Sequence, residues 1–472
     1  MGSLQRIEGR MLDLLKDAAR GTDGFVELRY HAKRFQSLLV TKGRLERSTI
    51  RHRSGVAVRV LYEGTWGFAS TSNMDLASLR EAIERARAGA RASASFRQHK
   101  IPDLAPVSLA TGNFVDPAVE QVARRSIEEK IQLALETEAR ARAGSSQVPS
   151  ASCGYNEIFE DKAILTTDGA AATFSLVRPE FWVSVVAERE GERATARNAI
   201  GVTGGWECLF RDAPEIVADK TVKSAVDLLG APFPEGGRKT VVLAPSVVGL
   251  MVHEAVGHTV EADLVQAGSV AAGKIGQRVA SDLVTLCDSG RSVIADGAGG
   301  SIPIDDEGVP AEETVIIKDG ILNSYLHNRE SAATFGVAPT GNARAWEYSD
   351  EPLIRMRNTY IRPGNQTLEE LIATTEDGYL LDGPRNGQAD STGEFMFGVQ
   401  QAWRIQKGKL GELVRGVTIT GKAFDVLQTV DGVSREFKWD LGSGHCGKGQ
   451  PAKVDAGGPY VRCQAILAGV QD

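Results

Sequence analysis

The sequence predicts an α+β protein: an N-terminal α/β region built on antiparallel sheets, then a β-rich, barrel-like C-terminal region that carries one distinctive helix. Three observations predict it. Amphipathic helical spacing near the N-terminus gives way to short apolar alternations between residues 25 and 70. From residue 232 onward the pattern is mainly short strands punctuated by glycine. One apolar stretch after Ser246 interrupts those strands at a helical period, and it contains two of the seven histidines.

Leu4, Ile7, Met11, Leu14 and Leu15 recur at helical spacing among charges, so residues 4–20 are expected to form an amphipathic helix that covers a sheet. Gly55 to Tyr62 and Gly64 to Phe68 read as strands of a meander, and residues 75–92 return to helix. Around Pro102, Pro106 and Gly112 periodicity is lost, which puts a first boundary near residue 110. A long helix is expected over residues 117–143, followed by strands with turn signals at Asp168-Gly169 and Gly204-Gly205. After a helical stretch ending near Leu229, Pro232, Pro234 and Gly236-Gly237 break regular structure before Thr240 to Ala244 resumes as a strand. The expected domains are therefore residues 1–110 (N-terminal α+β), 111–231 (middle α+β) and 232–472 (C-terminal, β-rich). A chain of 472 residues exceeds what one core organises, which agrees with that division.

Composition narrows the function. The chain is 42% hydrophobic and 24% charged, with a formal net charge of −7 and its basic residues scattered among acidic ones, so nucleic acid is not an expected ligand. The N-terminal residues lack the apolar core of a secretory signal, and no apolar run approaches the roughly 20 residues of a membrane span. A cytoplasmic protein without a membrane partner is expected. Five cysteines, odd in number and far apart, read as reduced thiols rather than a disulfide framework.

The chemistry concentrates in His253-Glu254-Ala255-Val256-Gly257-His258, within a helix expected to start at Ser246 as N-cap and to run from Val247 to about Leu264. Two imidazoles offer neutral nitrogen ligands, and the adjacent carboxylate offers a base for metal-assisted hydrolysis. Positions five apart on a regular α-helix are rotated by about 140°, so a single π-type turn or a helix end is expected at Val256-Gly257 to bring the rings together. Two imidazoles leave a site incomplete. Cys446, in the glycine-rich stretch Gly442 to Gly449, is the expected third ligand on a loop, with Glu261 as the competing ligand or supporting partner.

Blander readings stand beside these. Histidine pairs on apolar helices are often packing residues, and Cys153, Cys208, Cys287 and Cys463 read as inert small hydrophobes. His445 beside Cys446 raises a cysteine-nucleophile reading, but neighbours in extended chain point to opposite sides. His31, His52, His99 and His327 are assigned no catalytic role. Asp305 to Pro310 lacks the spaced oxygens of a calcium loop and is expected as a surface turn, and Gly297 to Gly300 lacks a phosphate-loop lysine.

His253 to Asp263 (HEAVGHTVEAD) resembles the signature of the TldD/PmbA family of metallopeptidases, called modulators of DNA gyrase. Asp305 to Pro310, Gly336 to Asn342, Arg357 to Gly364 and Cys446-Gly447-Lys448 are similar to family segments in the same order, and the resemblance spans about residues 25 to 465. Because the histidine motif is complete, the chain resembles the TldD-type subunit rather than the TldE/PmbA type that lacks it. The resemblance implies that His253, His258 and Cys446 hold the metal, zinc or another divalent ion, and that Glu254 is the base. It also implies peptidase activity on unfolded or flexible peptides, and a dimer, either with itself or with a TldE/PmbA-type paralogue. The rival readings are a metal-stabilised subunit that binds peptides without cleaving them, and a hydrolase using Cys446 as nucleophile.

Overall fold

The computed structural model describes residues 9–101 and 103–469. Leu4 and Ile7 of the first expected helix, and Pro102, lie outside the described residues. The helix is present as α1 (Gly9–Ala19), which buries Leu15 and Ala18. Seven strands then build one sheet: β1 (Phe25–Thr41), β2 (Arg44–Tyr62), β3 (Thr65–Thr71), β4 (Thr111–Val115), β5 (Ser150–Thr166), β6 (Ala171–Arg189) and β7 (Glu192–Gly201). Their order is β3-β2-β1-β5-β6-β4, with β7 also on β6. β1 pairs with β5 from Glu27 to Thr41, so strands from either side of residue 110 share one sheet. β6 serves two neighbours, β4 along Ala171 to Ser175 and β7 along Glu180 to Arg189. Pro179, which has no N–H to donate to a ladder, sits at the handover.

Helix α2 (Leu76–Ala94) packs on β2 and β3 so closely that a Cβ on Gly67 would lie 1.8 Å from the Ala86 carbonyl oxygen. The helix expected over residues 117–143 is two helices, α3 (Ala118–Ala123) and α4 (Ile127–Ala143). Ser126 starts the second one. Its hydroxyl accepts from the Glu129 N–H while the Glu129 carboxylate accepts from the Ser126 N–H, a reciprocal cap worth about 1 kcal/mol that favours a fresh start over continuation.

Because strand side chains alternate, the sheet has two different faces. Val26, Leu28, Leu38 and Val40 of β1 join the apolar clusters formed with α1, α2 and α4. Glu27, Arg29, His31 and Lys33 of the same strand are also buried, but against the C-terminal region: Arg29 Nη2 donates to the Asp350 carbonyl at 2.6 Å, and Lys33 Nζ to the Trp346 carbonyl. This polar face overturns the surface turn expected at Asp305 to Pro310. Asp305, Asp306 and Glu307 are 1%, 3% and 2% exposed. Lys162 Nζ grips both Asp306 carboxylate oxygens at 2.7 and 2.9 Å, and Arg59 Nη2 donates to Glu307 Oε1 at 2.7 Å. Carboxylates go inside when cations meet them there, and the cations come from the N-terminal sheet.

In the C-terminal region Gly237–Leu243, Asp377–Ala389, Glu394–Gln406, Val417–Lys422 and Val461–Gly469 close into a five-stranded barrel. Closure is made by Asp377–Ala389, which pairs parallel with Gly237–Leu243 and antiparallel with Glu394–Gln406. The barrel-like expectation is thus met. A second sheet contains Leu286–Ser289, Asn358–Ile361 and Asp455–Gly458. The helix Pro245–Met251 leaves the first barrel strand, and its Val247, Val248 and Met251 share one core with Leu243, Phe395 and Phe397 of the barrel. A Cβ on Gly249 would meet Ala456 of the second sheet at 2.8 Å, so the helix is wedged between barrel and sheet. Among the described residues no helix is long and apolar enough to cross a membrane.

Candidate metal centre

Two local expectations need correction before the site itself. Ala244, not Ser246, holds the N-cap position, with Pro245 in the first turn; Ser246 Oγ instead donates to Asp382 Oδ1 at 3.0 Å. Nor is there one helix from Val247 to Leu264. The α-helix ends at Met251, a π-helix spans Val252–Gly257, a 3-10 turn follows at His258–Val260, and Glu261 is extended before a last short helix, Ala262–Gln266.

The π turn lies where the five-residue spacing demands it. The His258 N–H donates to the His253 carbonyl, a bond spanning five residues, and the two rings come to 5.3 Å between centroids at 78°. Gly257 has helical dihedrals, φ −54° and ψ −49°, so its lack of a side chain is used for closeness rather than for an unusual backbone. A Cβ there would lie 1.9 Å from Met356 Sδ, and Met356 is fully buried. Gly257→Ala is accordingly expected to cost about 1–3 kcal/mol by overpacking, more than the roughly 1 kcal/mol that alanine gains in a helix. Thermal unfolding checks this, and a variant at least as stable as the parent would refute it.

Cys446 was expected on a loop; it lies on a two-stranded hairpin, His445–Gly447 with Pro451–Lys453, opposite Ala452. Arg355, fully buried, holds the hairpin together: Nη2 donates to the Cys446 carbonyl and Nη1 to the Gln450 carbonyl, both at 2.7 Å. Alternation then sends Cys446 inward and His445 outward, where His445 meets the Trp346 ring edge-on at 5.5 Å.

One ligand atom each from His253, His258 and Cys446 lies within 4.8 Å of the others. Cys446 Sγ is 3.1 Å from His258 Nε2, while both ring nitrogens of the buried His253 lack a hydrogen-bond partner among the described residues. Glu254 Oε2 is 3.7 Å from His258 Nε2, with its side chain 30% exposed, so the carboxylate lies between the cluster and solvent. Glu261 is placed differently. Fully buried, it takes His258 Nδ1 at 3.1 Å and Lys448 Nζ at 2.9 Å, on the side of the imidazole away from Cys446. Lys448 also reaches Asp263 at 2.7 Å. The sequence reading gave Lys448 no part in this geometry; its position two residues beyond Cys446, just past the strand His445–Gly447, was the available signal.

The electrostatics single out one thiol. Burial pushes Cys287 and Cys463 up to about 12. Burial also pushes Cys446 upward, but His253 and His258 outweigh it and bring the thiol down to about 5. Burial works against a charged His258, yet Cys446 and Glu261 raise it to about 10, and His253 is raised against burial by Cys446 and Glu254. The two imidazoles thus favour the thiolate form of Cys446, and a bound cation would favour it in the same way. Two nitrogens and one sulfur, with a buried imidazole lacking any other partner, fit a borderline-soft divalent ion such as zinc.

Comparison with known proteins shows the family. Residues 26–90 match the family model described as PmbA/TldA metallopeptidase domain 1, residues 120–229 the central domain and residues 236–469 the C-terminal domain. The chain is 34% identical to a protein of Methanothermobacter thermautotrophicus named metalloprotease, over 94% of this chain and 95% of that one. It is 32% identical to a metalloprotease TldD homolog of Haemophilus influenzae (94% and 92% covered) and 28% identical to a zinc metalloprotease TldD homolog of Saccharolobus solfataricus (97% and 99% covered). The fold matches TldE from Thermococcus kodakarensis with a TM-score of 0.77 at 18% identity, covering 97% of this chain and 100% of that one. From its domain matches and its full-length relatives, the chain belongs to the PmbA/TldD family.

Proposed function

We propose that this chain is a cytoplasmic metallopeptidase in which His253, His258 and Cys446 hold a divalent ion, zinc by donor chemistry, and Glu254 is the base. The convergence of three donor atoms, two of them on buried residues, beside one partly exposed carboxylate carries the reading. When bound, the ion supplies Lewis acidity toward a scissile carbonyl. Glu254 Oε2 takes a proton from the attacking water and passes it to the leaving nitrogen. Glu261, its charge balanced by Lys448, accepts a hydrogen bond from His258 Nδ1–H, which fixes the tautomer and leaves the Nε2 lone pair for the ion. No covalent intermediate is required.

The substrates proposed are unfolded or flexible peptides, whose extended chains can offer main-chain hydrogen bonds to strand edges. A folded protein should resist cleavage while its unfolded form is cut. The working unit proposed is a dimer, with itself or with a TldE/PmbA-type paralogue; the fold shared with TldE supports the second arrangement.

Elemental analysis of the purified chain, beside His253→Ala and Cys446→Ala, tests the metal reading. Near-stoichiometric zinc that falls sharply in both variants is expected. A well-folded parent that takes up no divalent ion when zinc is supplied would overturn it.

A further inference from the structure

Between the polar face of the N-terminal sheet and the Cys446 hairpin lies a largely enclosed cavity of about 20 Å³ for the centres of water-sized molecules, room for one water or one monatomic ion. Its charged lining is lopsided. Among the described residues that line it, the cations are Lys33, Lys162, Arg178, Arg344 and Lys453 and the carboxylates are Glu160 and Asp306. Asp306 is taken by Lys162 at 2.7 Å, Glu160 by Arg178, and Lys453 is paired with Glu180 from outside the cavity. Lys33 and Arg344 are left with carbonyls. Lys33 donates to the Trp346 carbonyl and lies over the Trp346 ring at 3.2 Å; Arg344 donates to the carbonyls of Met356 and Lys453, both at 2.6 Å. His31 adds no further positive charge, because burial, with Lys162, brings it down to about 3.

A second observation concerns the cavity wall. Arg178, which lines the cavity and is 2% exposed, has a buried Nε–H with no acceptor among the described residues. A buried donor without a partner costs about 1–3 kcal/mol, and an unpaired buried charge costs more. Burial, with repulsion from Arg178 and Arg355 and against Glu160 and Asp306, brings Arg344 down to about 10, and burial, with Lys162 and Arg178 and against Glu160, brings Lys33 down to about 7.

We propose that the cavity walled by Lys33, Arg178 and Arg344 binds one small monovalent anion, a halide such as chloride. A carboxylate of a peptide is too large for the space, and a water cannot supply the missing negative charge. The anion lies against Ala452 and Lys453, the strand paired with His445 and Cys446, so it ties the hairpin to the N-terminal sheet. The site stands independently of whether Cys446 holds a metal.

Thermal unfolding of the full chain in sodium chloride, sodium bromide and sodium gluconate at equal ionic strength tests it, since gluconate cannot enter. Chloride and bromide are expected to raise Tm saturably by about 2–4 °C over gluconate, and Arg344→Met to lose that difference. Crystals of the unaltered chain soaked in bromide should show an anomalous peak between Lys33, Arg178 and Arg344, which decides the matter even if the variant fails to fold. Equal Tm in all three salts, or no bromide at that position, would overturn the proposal.

Discussion

Replacing Glu254 by glutamine is expected to lower kcat on a flexible peptide by about 10²–10⁴-fold, the usual contribution of a positioned general base, while the zinc content of the chain stays unchanged. The side chain keeps its size and loses only its ability to take a proton. The two readouts separate because Glu254 is not one of the three grouped donors: it stands beside the cluster, 3.7 Å from His258 Nε2, with its side chain 30% exposed. Single-turnover assays with elemental analysis on the same preparation check this. Full activity in Glu254→Gln would move the base to another group. Loss of metal along with activity would make Glu254 a ligand.

The parts of this site that were legible in the sequence are those set by local geometry. Five-residue spacing between His253 and His258 cannot be served by a regular α-helix, so the π turn followed from helix periodicity alone. The start of α4 was legible too and went unread: Ser126 and Glu129 spell a capping box inside what looked like one continuous helix. The Cys446 hairpin was harder, because its strands are three residues each and are held by Arg355, some ninety positions earlier in the chain. Nothing near Cys446 in sequence announces that grip. Gly257, inside the expected π turn, is a packing glycine, and nothing in the sequence shows this, since Met356 reaches it only through tertiary structure. The barrel followed from glycine-punctuated strand patterns, yet its closure through one parallel pair, Asp377–Ala389 with Gly237–Leu243, depends on partners more than a hundred residues apart.

The acidic turn at residues 305–307 was misread for the same reason, and it yields the largest expected loss of stability. Asp306 accepts two bonds from Lys162 Nζ and one from the Ala345 N–H at 2.7 Å, and Arg29 lies 3.9 Å away. All three charged groups are almost fully buried. Asp306→Ala removes one of the few carboxylates in a region already rich in cations, leaving Lys162 charged with only Glu160 at 3.7 Å, a carboxylate that Arg178 already holds, and is expected to cost about 3–5 kcal/mol at neutral pH. Asp306→Asn should cost less, since the amide oxygen still accepts from Lys162 and Ala345. The pH dependence has a definite sign. Burial opposes ionisation of Asp306, but Lys162 and Arg29 outweigh it and hold the carboxyl below its ordinary value. A carboxyl depressed in the folded state stabilises fully above its unfolded pKa of about 3.9, and the contribution fades as pH falls from there through the folded value. The parent should therefore lose stability on that acid limb, while Asp306→Ala, which has already lost the contribution, should show a flatter one. Urea unfolding at neutral pH and across the acid range measures both quantities. A variant within about 1 kcal/mol of the parent would mean that Lys162 finds another partner or gives up its proton, and that the sheet face does not depend on Asp306.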